Sequence, residues 1–97
     1  MFDIEYTASA LLDISTFRKH DQTTIFDRVD EQLMHQPDLE TRNRKRLRPN
    51  QIAQWELRVD HYRVLHDVDY NEQKVEVRLV GLKQGSTLLV RGREYRL

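Results

Sequence analysis

The sequence predicts an α+β domain in which two helices pack on one face of a mostly antiparallel sheet. Three observations predict it. Two windows in the first 36 residues repeat apolar side chains every three or four positions, the helical period. From Trp55 onward, apolar and charged residues alternate, the strand period. The helical windows and most of the alternating runs are segregated along the chain, which favours α+β over a parallel α/β sheet.

Phe2, Ile4 and Tyr6 alternate with acids and read as a first short strand. A helix follows from about Thr7 or Ser9, with Ala10, Ile14 and Phe17 on one stripe and Leu11 beside it. His20-Asp21 interrupts the run, and Asp21 is a good N-cap for a second helix. In that helix Ile25, Val29 and Leu33 recur every four residues, Phe26 and Met34 widen the stripe, and Pro37 ends it. The close spacing predicts an antiparallel helical hairpin. Residues 38–51 show no period, and Pro49-Asn50 closes them as a turn.

Trp55, Leu57 and Val59 give the next strand an apolar face, and Glu56 and Arg58 its polar one. After Asp60-His61, Tyr62 to Val68 forms a second strand. Beyond the turn Asn71-Glu72-Gln73, Val75, Val77 and Leu79 share a face of a third that ends near Gly81. Leu88 to Val90, Arg91-Gly92, Tyr95 and Leu97 suggest a small terminal hairpin. The expectation is a four- to five-stranded sheet in a single domain spanning 1–97, with the face away from the helices left free.

The composition excludes several classes. There is no Cys, which removes disulfide scaffolds, thiolate metal sites and a Cys nucleophile, and favours a cytoplasmic location. The first 15 residues carry acids and no long apolar run, unlike a signal peptide or membrane span. His20-Asp21 and His66-Asp67 are isolated pairs, no glycine pattern spells a phosphate loop, and no metal or other cofactor is expected. The net charge is zero, yet residues 1–40 hold nine acids against three bases and residues 41–97 thirteen bases against seven acids. Such asymmetry suits either a polyanion-binding second half or two halves that pair with each other.

The stretch from Trp55 to Gly85 resembles the sheet core of the RelE/ParE superfamily of prokaryotic type II toxins. The resemblance rests on Tyr62-Arg63-Val64-Leu65-His66-Asp67-Val68-Asp69 and on Val80-Gly81-Leu82-Lys83. The helical hairpin, the basic loop Glu40 to Asn50 and the length also fit. It implies a toxin neutralised by a cognate antitoxin in a hetero-oligomer, with no membrane role. RelE-like members are mRNA interferases, endonucleases that cut message in the ribosome; ParE-like members poison DNA gyrase.

By the same resemblance Arg63 matches a recurrent functional arginine, Arg58 a basic position on the preceding strand, and Lys83 a base just after the Val-Gly pair. Arginine suits phosphate, because its fork stays charged and matches the oxygens. Where ribonuclease members usually place a second Lys this chain has Glu56, a candidate general base alongside His61 and His66. Where RelE proper carries a Tyr the chain has Leu88-Leu89; Tyr95 is the nearest, out of register. Arg63 has an alternative reading as an ion pair with Asp67. Arg42, Arg44, Lys45, Arg46 and Arg48, five bases in seven positions, are candidates for RNA-backbone contact. RNA binding with translation inhibition is one implied function; gyrase inhibition, or a decayed toxin that only binds its antitoxin, is the other.

Overall fold

A computed structural model describes residues 1–96. The chain enters through strand β1 (Asp3–Tyr6) and helix α1 (Ala8–Ser15). Thr7 starts the helix: its hydroxyl accepts the Ala10 N–H at 3.0 Å and donates to the Arg78 carbonyl, so one side chain both caps and docks it. Helix α2 runs Lys19–Leu33, beginning two residues before the expected Asp21 cap. Arg18 holds the cap position without a side-chain bond. Asp21 lies in the first turn, where a carboxylate favours the positive helix end, and accepts the Tyr62 hydroxyl at 2.7 Å.

Strands β2 (Arg44–Arg46), β3 (Trp55–Val59), β4 (Tyr62–Asp69), β5 (Lys74–Gln84), β6 (Thr87–Val90) and β7 (Arg93–Tyr95) follow. They pair antiparallel in the order β2-β3-β4-β5-β6-β7, and β1 lies parallel to the first half of β5. The sheet thus has seven strands where four to five were expected. Four of the seven, β1, β2, β6 and β7, are only three or four residues long. β5 also continues past Gly81 to Gln84.

The helices cover one face. Ala10 and Ile14 of α1 and Ile25, Val29 and Leu33 of α2 pack with Trp55, Leu57, Val59, Val64, Val68, Val75, Val77 and Val80 in one buried cluster. Apolar burial of this kind contributes roughly 1.5–3 kcal/mol for each large side chain. His66 is also fully buried on this face, stacked on Trp55 with ring centroids 6.5 Å apart. Burial pushes its pKa down to about 4, so the imidazole is neutral.

The face away from the helices is not wholly free. Leu47, Ile52 and Ala53 fold over Leu65, Leu79, Leu88 and Val90 to make a second apolar cluster. Asn50 sets this segment: its amide oxygen accepts from Ile52 and Ala53, and its NH₂ donates to the carbonyls of Arg48 and Ala53. Leu79 joins this cluster rather than sharing a face with Val75 and Val77. Leu65 opposes Leu79 while His66 opposes Val77, so Arg78 is an extra residue in β5, and this bulge reverses the alternation.

Two tight links shape the strands around the site. Asp60 takes φ 53° in the Asp60-His61 turn between β3 and β4. Arg91 (φ 50°) and Gly92 (φ 78°) join β6 to β7, with Val90 paired to Arg93. Positive φ at both central residues is the two-residue hairpin turn whose twist suits the strands. An arginine there carries a strain of about 1 kcal/mol.

Candidate functional site

The uncovered part of the helix-free face lies over β3, β4, the end of β5 and the terminal hairpin. Period-2 geometry brings Glu56, Arg58, Arg63 and Lys83 to this face. Arg58 opposes Arg63, which opposes Gly81; Glu56 opposes Leu65; and the row Lys83-Leu88-Tyr95 crosses three strands.

Arg63 is held on several sides. Its Nε lies 3.7 Å from Glu56 Oε1, and its Nη1 donates to the carbonyls of Asp60 (3.0 Å) and Tyr62 (2.9 Å). Its side chain is 13% exposed and that of Glu56 20%, so water screens the pair less than a surface bridge. Burial and the neighbouring Arg58 charge pull the Arg63 pKa below its usual value, with Glu56 opposing. The guanidinium remains a cation, fixed in direction by carbonyls rather than by Asp67. Asp67 instead takes the Gln54 N–H and lies 3.6 Å from Arg78.

Arg58 is exposed and has no ion pair among the described residues, and the same holds for the half-buried Lys83. Lys83 is fixed through its backbone, whose N–H donates to the His61 carbonyl at 2.7 Å. Gly81 matters for packing: a Cβ there would stand 2.8 Å from Leu88 Cδ1 and 2.9 Å from the Leu89 carbonyl. Its bare backbone lets Leu88 lie across β5.

Beside these residues is a depression of about 440 Å³ whose lining includes Glu56, Lys83, Leu88 and Tyr95, together with Ser86, Thr87, Glu94 and Arg96. Tyr95 is therefore in the same depression as Glu56 and Lys83. Pairing across the Arg91-Gly92 turn sets Tyr95 opposite Leu88, a register readable by counting outward from that turn. Ser86 and Thr87 were not foreseen, and no motif marks them. A larger depression of about 610 Å³ lies under residues 46–54, but its Arg78 is neutralised by Asp67 and by Glu76 at 3.1 Å.

The basic run divides. Arg42, Lys45, Arg46 and Arg48 are exposed, with Arg46 5.5 Å above the Trp55 ring and Lys45 opposite Glu56. Arg44 is buried, and its guanidinium donates to the carbonyls of Leu39 and Gln32. It closes the C-terminal end of α2, where free carbonyls favour a cation, and is not available to RNA. His61 is exposed in its turn, and His66 is enclosed in the core away from this face.

Chemically, Arg58, Arg63 and Lys83 can hold a phosphate and stabilise charge developing on it. Glu56 can take a proton, and the Tyr95 phenol lies in the same depression. Among the described residues no group of three or more metal-type side chains forms, and no helix is long and apolar enough to cross a membrane.

No protein-family model matches the sequence, and no curated protein matches it significantly. Solved structures do match. One is a chain of the toxin–antitoxin complex RelBE2 from Mycobacterium tuberculosis, with a TM-score of 0.73 and 20% identity over 84% of this chain and 98% of that one. Another is a chain of the archaeal RelE–RelB complex from Pyrococcus horikoshii, with a TM-score of 0.69 and 14% identity over 88% and 97%. The protein has the fold of RelE toxin structures, two helices on a mostly antiparallel sheet.

Proposed function

We propose that this protein is the toxin of a type II toxin–antitoxin system and that it inhibits translation by cutting mRNA in the ribosome. The reading is supported most by one observation: on a RelE fold, Arg58, Arg63, Glu56, Lys83 and Tyr95 gather on the sheet face that the helices leave uncovered. Cleavage through the 2′-OH needs a base for its proton, cations for the phosphorane charge and an acid for the leaving oxygen. In this reading Glu56 is the base, Arg58, Arg63 and Lys83 supply the cations, and Tyr95 is the acid. Arg42, Lys45, Arg46 and Arg48 contact RNA backbone outside the depression.

A cognate antitoxin is the proposed partner, in a cytoplasmic hetero-oligomer, since both structural neighbours come from toxin–antitoxin complexes. Primer extension on mRNA from a cell-free translation reaction tests the reading. Cuts that appear only on translated message support it; intact message with unimpaired translation overturns it.

A second reading, a gyrase inhibitor or a toxin without nuclease activity, is favoured by Leu88-Leu89, apolar where RelE proper has its Tyr. A supercoiling assay with purified gyrase separates the two.

A further inference from the structure

Asp13 is the one acidic side chain buried among the described residues, and it lies on α1, not among the residues assigned above. Its Oδ2 accepts the Val80 N–H at 3.1 Å, and Arg91 Nε stands 2.9 Å from its Oδ1. The Asp13 side chain is 1% exposed and that of Arg91 46%.

The location gives this triad its meaning. The edge of β5 is shared, with β1 paired up to Val77 and β6 from Leu82 onward. Extending the β5–β6 register by two residues from Leu82↔Leu89 would set Arg91 opposite Val80. The ladder stops there, and the Asp13 carboxylate stands between the Val80 amide and the Arg91 guanidinium. Beyond this point β6 holds to β5 through only three residue pairs, Leu82↔Leu89, Lys83↔Leu88 and Gln84↔Thr87. β7, which carries Tyr95, pairs with β6 alone.

Arg91 is also an unusual choice for its turn. Its φ of 50° is left-handed backbone, where Gly, Asn or Asp is preferred. Strain of this kind persists where surrounding contacts over-determine it. The contact present is Asp13.

We infer that Asp13 and Arg91 form a latch between α1 and the β6–β7 turn that positions the terminal hairpin, and with it Tyr95, against Lys83 and Glu56. Asp13 and Arg91 are positioning residues; neither lines the depression. The effect on catalysis rests on the nuclease reading above, whereas the latch itself does not.

The experiment is amide hydrogen exchange and Tyr95 ring contacts by NMR on the full chain, for wild type, Arg91→Gly, Asp13→Asn and Arg91→Lys, with mRNA cleavage measured in parallel. Glycine suits the left-handed turn, so Arg91→Gly relieves strain and removes only the latch. Asparagine keeps an acceptor for Val80 and sets an uncharged NH₂ donor where Oδ1 faced Arg91, which breaks the latch. Amides of β6 and β7 are expected to exchange about tenfold faster in both variants while those of β3 and β4 hold their rate. Tyr95 ring contacts to Leu88 weaken, kcat falls at unchanged KM, and Arg91→Lys restores most of each. Unchanged or greater hairpin protection in Arg91→Gly overturns the latch, as does uniform loosening of all strands. A loosened hairpin with unchanged kcat overturns its link to the site. A wild type that cuts no message overturns the nuclease reading alone, and the exchange and ring contacts still decide the latch.

Discussion

Arg63 Nε lies 3.7 Å from Glu56 Oε1 across neighbouring strands, with both side chains largely withdrawn from solvent. The pair keeps a candidate base beside a cation whose direction two backbone carbonyls fix. Glu56→Gln preserves the shape and removes the proton acceptor. Turnover on ribosome-bound message is predicted to fall about 10²–10⁴-fold with little change in RNA affinity, read by single-turnover cleavage.

Arg63→Lys is predicted to behave as a loss, not a conservative change. A lysine is a point charge and cannot keep the planar fork on Glu56 and the two carbonyls together. Cleavage by Arg63→Lys is expected to stay within about tenfold of Arg63→Ala; recovery to near wild type would contradict the geometric role.

The basic run separates by stability against salt dependence. Arg44→Ala removes the cation on the Gln32 and Leu39 carbonyls and is expected to cost about 1–3 kcal/mol in urea unfolding. Arg48→Ala leaves stability within about 0.5 kcal/mol and lowers the salt slope of RNA binding by about one unit.

His66 predicts an acid-labile core. Its folded pKa of about 4 lies below its unfolded value, so the unfolded chain binds the extra proton between these values. Its contribution is complete above about pH 6.5 and is lost as pH falls toward 4, about 3 kcal/mol in all. Asp21, whose pKa is lowered chiefly by the Tyr62 hydroxyl, loses its contribution at more acid pH. Urea unfolding at pH 7 and 4.5 should show the loss in wild type and a clearly smaller one in His66→Phe.

Gly81→Ala places a methyl group against Leu88 and the Leu89 carbonyl. A destabilisation of about 1–3 kcal/mol is expected. A melting point unchanged within 2 °C would contradict the contact, since a domain this size shifts about 4–8 °C per kcal/mol.

The strands flanking Asp60-His61 were legible because Trp55 to Val68 alternates with one face in the core, and Ile25, Val29 and Leu33 marked α2 by period alone. The bulge at Arg78 was not, because a one-residue insertion leaves no composition signal and simply reverses which face Leu79 takes. β2 escaped because its residues Arg44, Lys45 and Arg46 are all charged; its inward member satisfies carbonyls instead of filling a core. Asp67 failed as the partner of Arg63 because four residues along a strand are about 13 Å, whereas the strand beside it brings Glu56 within 4 Å. Lys83 and Arg58 were singled out by their match to positions of the resembled family, Arg58 also by its face; both lie on the uncovered face, and Tyr95 joins them through a hairpin whose turn was read but whose register was not counted.

The central claim is tested most directly by the double variant Arg58→Ala/Arg63→Ala, assayed by primer extension on translated mRNA alongside binding to its antitoxin. The account predicts that the cuts seen with wild type vanish while the folded variant still binds the antitoxin. A double variant that cuts translated message at the wild-type rate would contradict it.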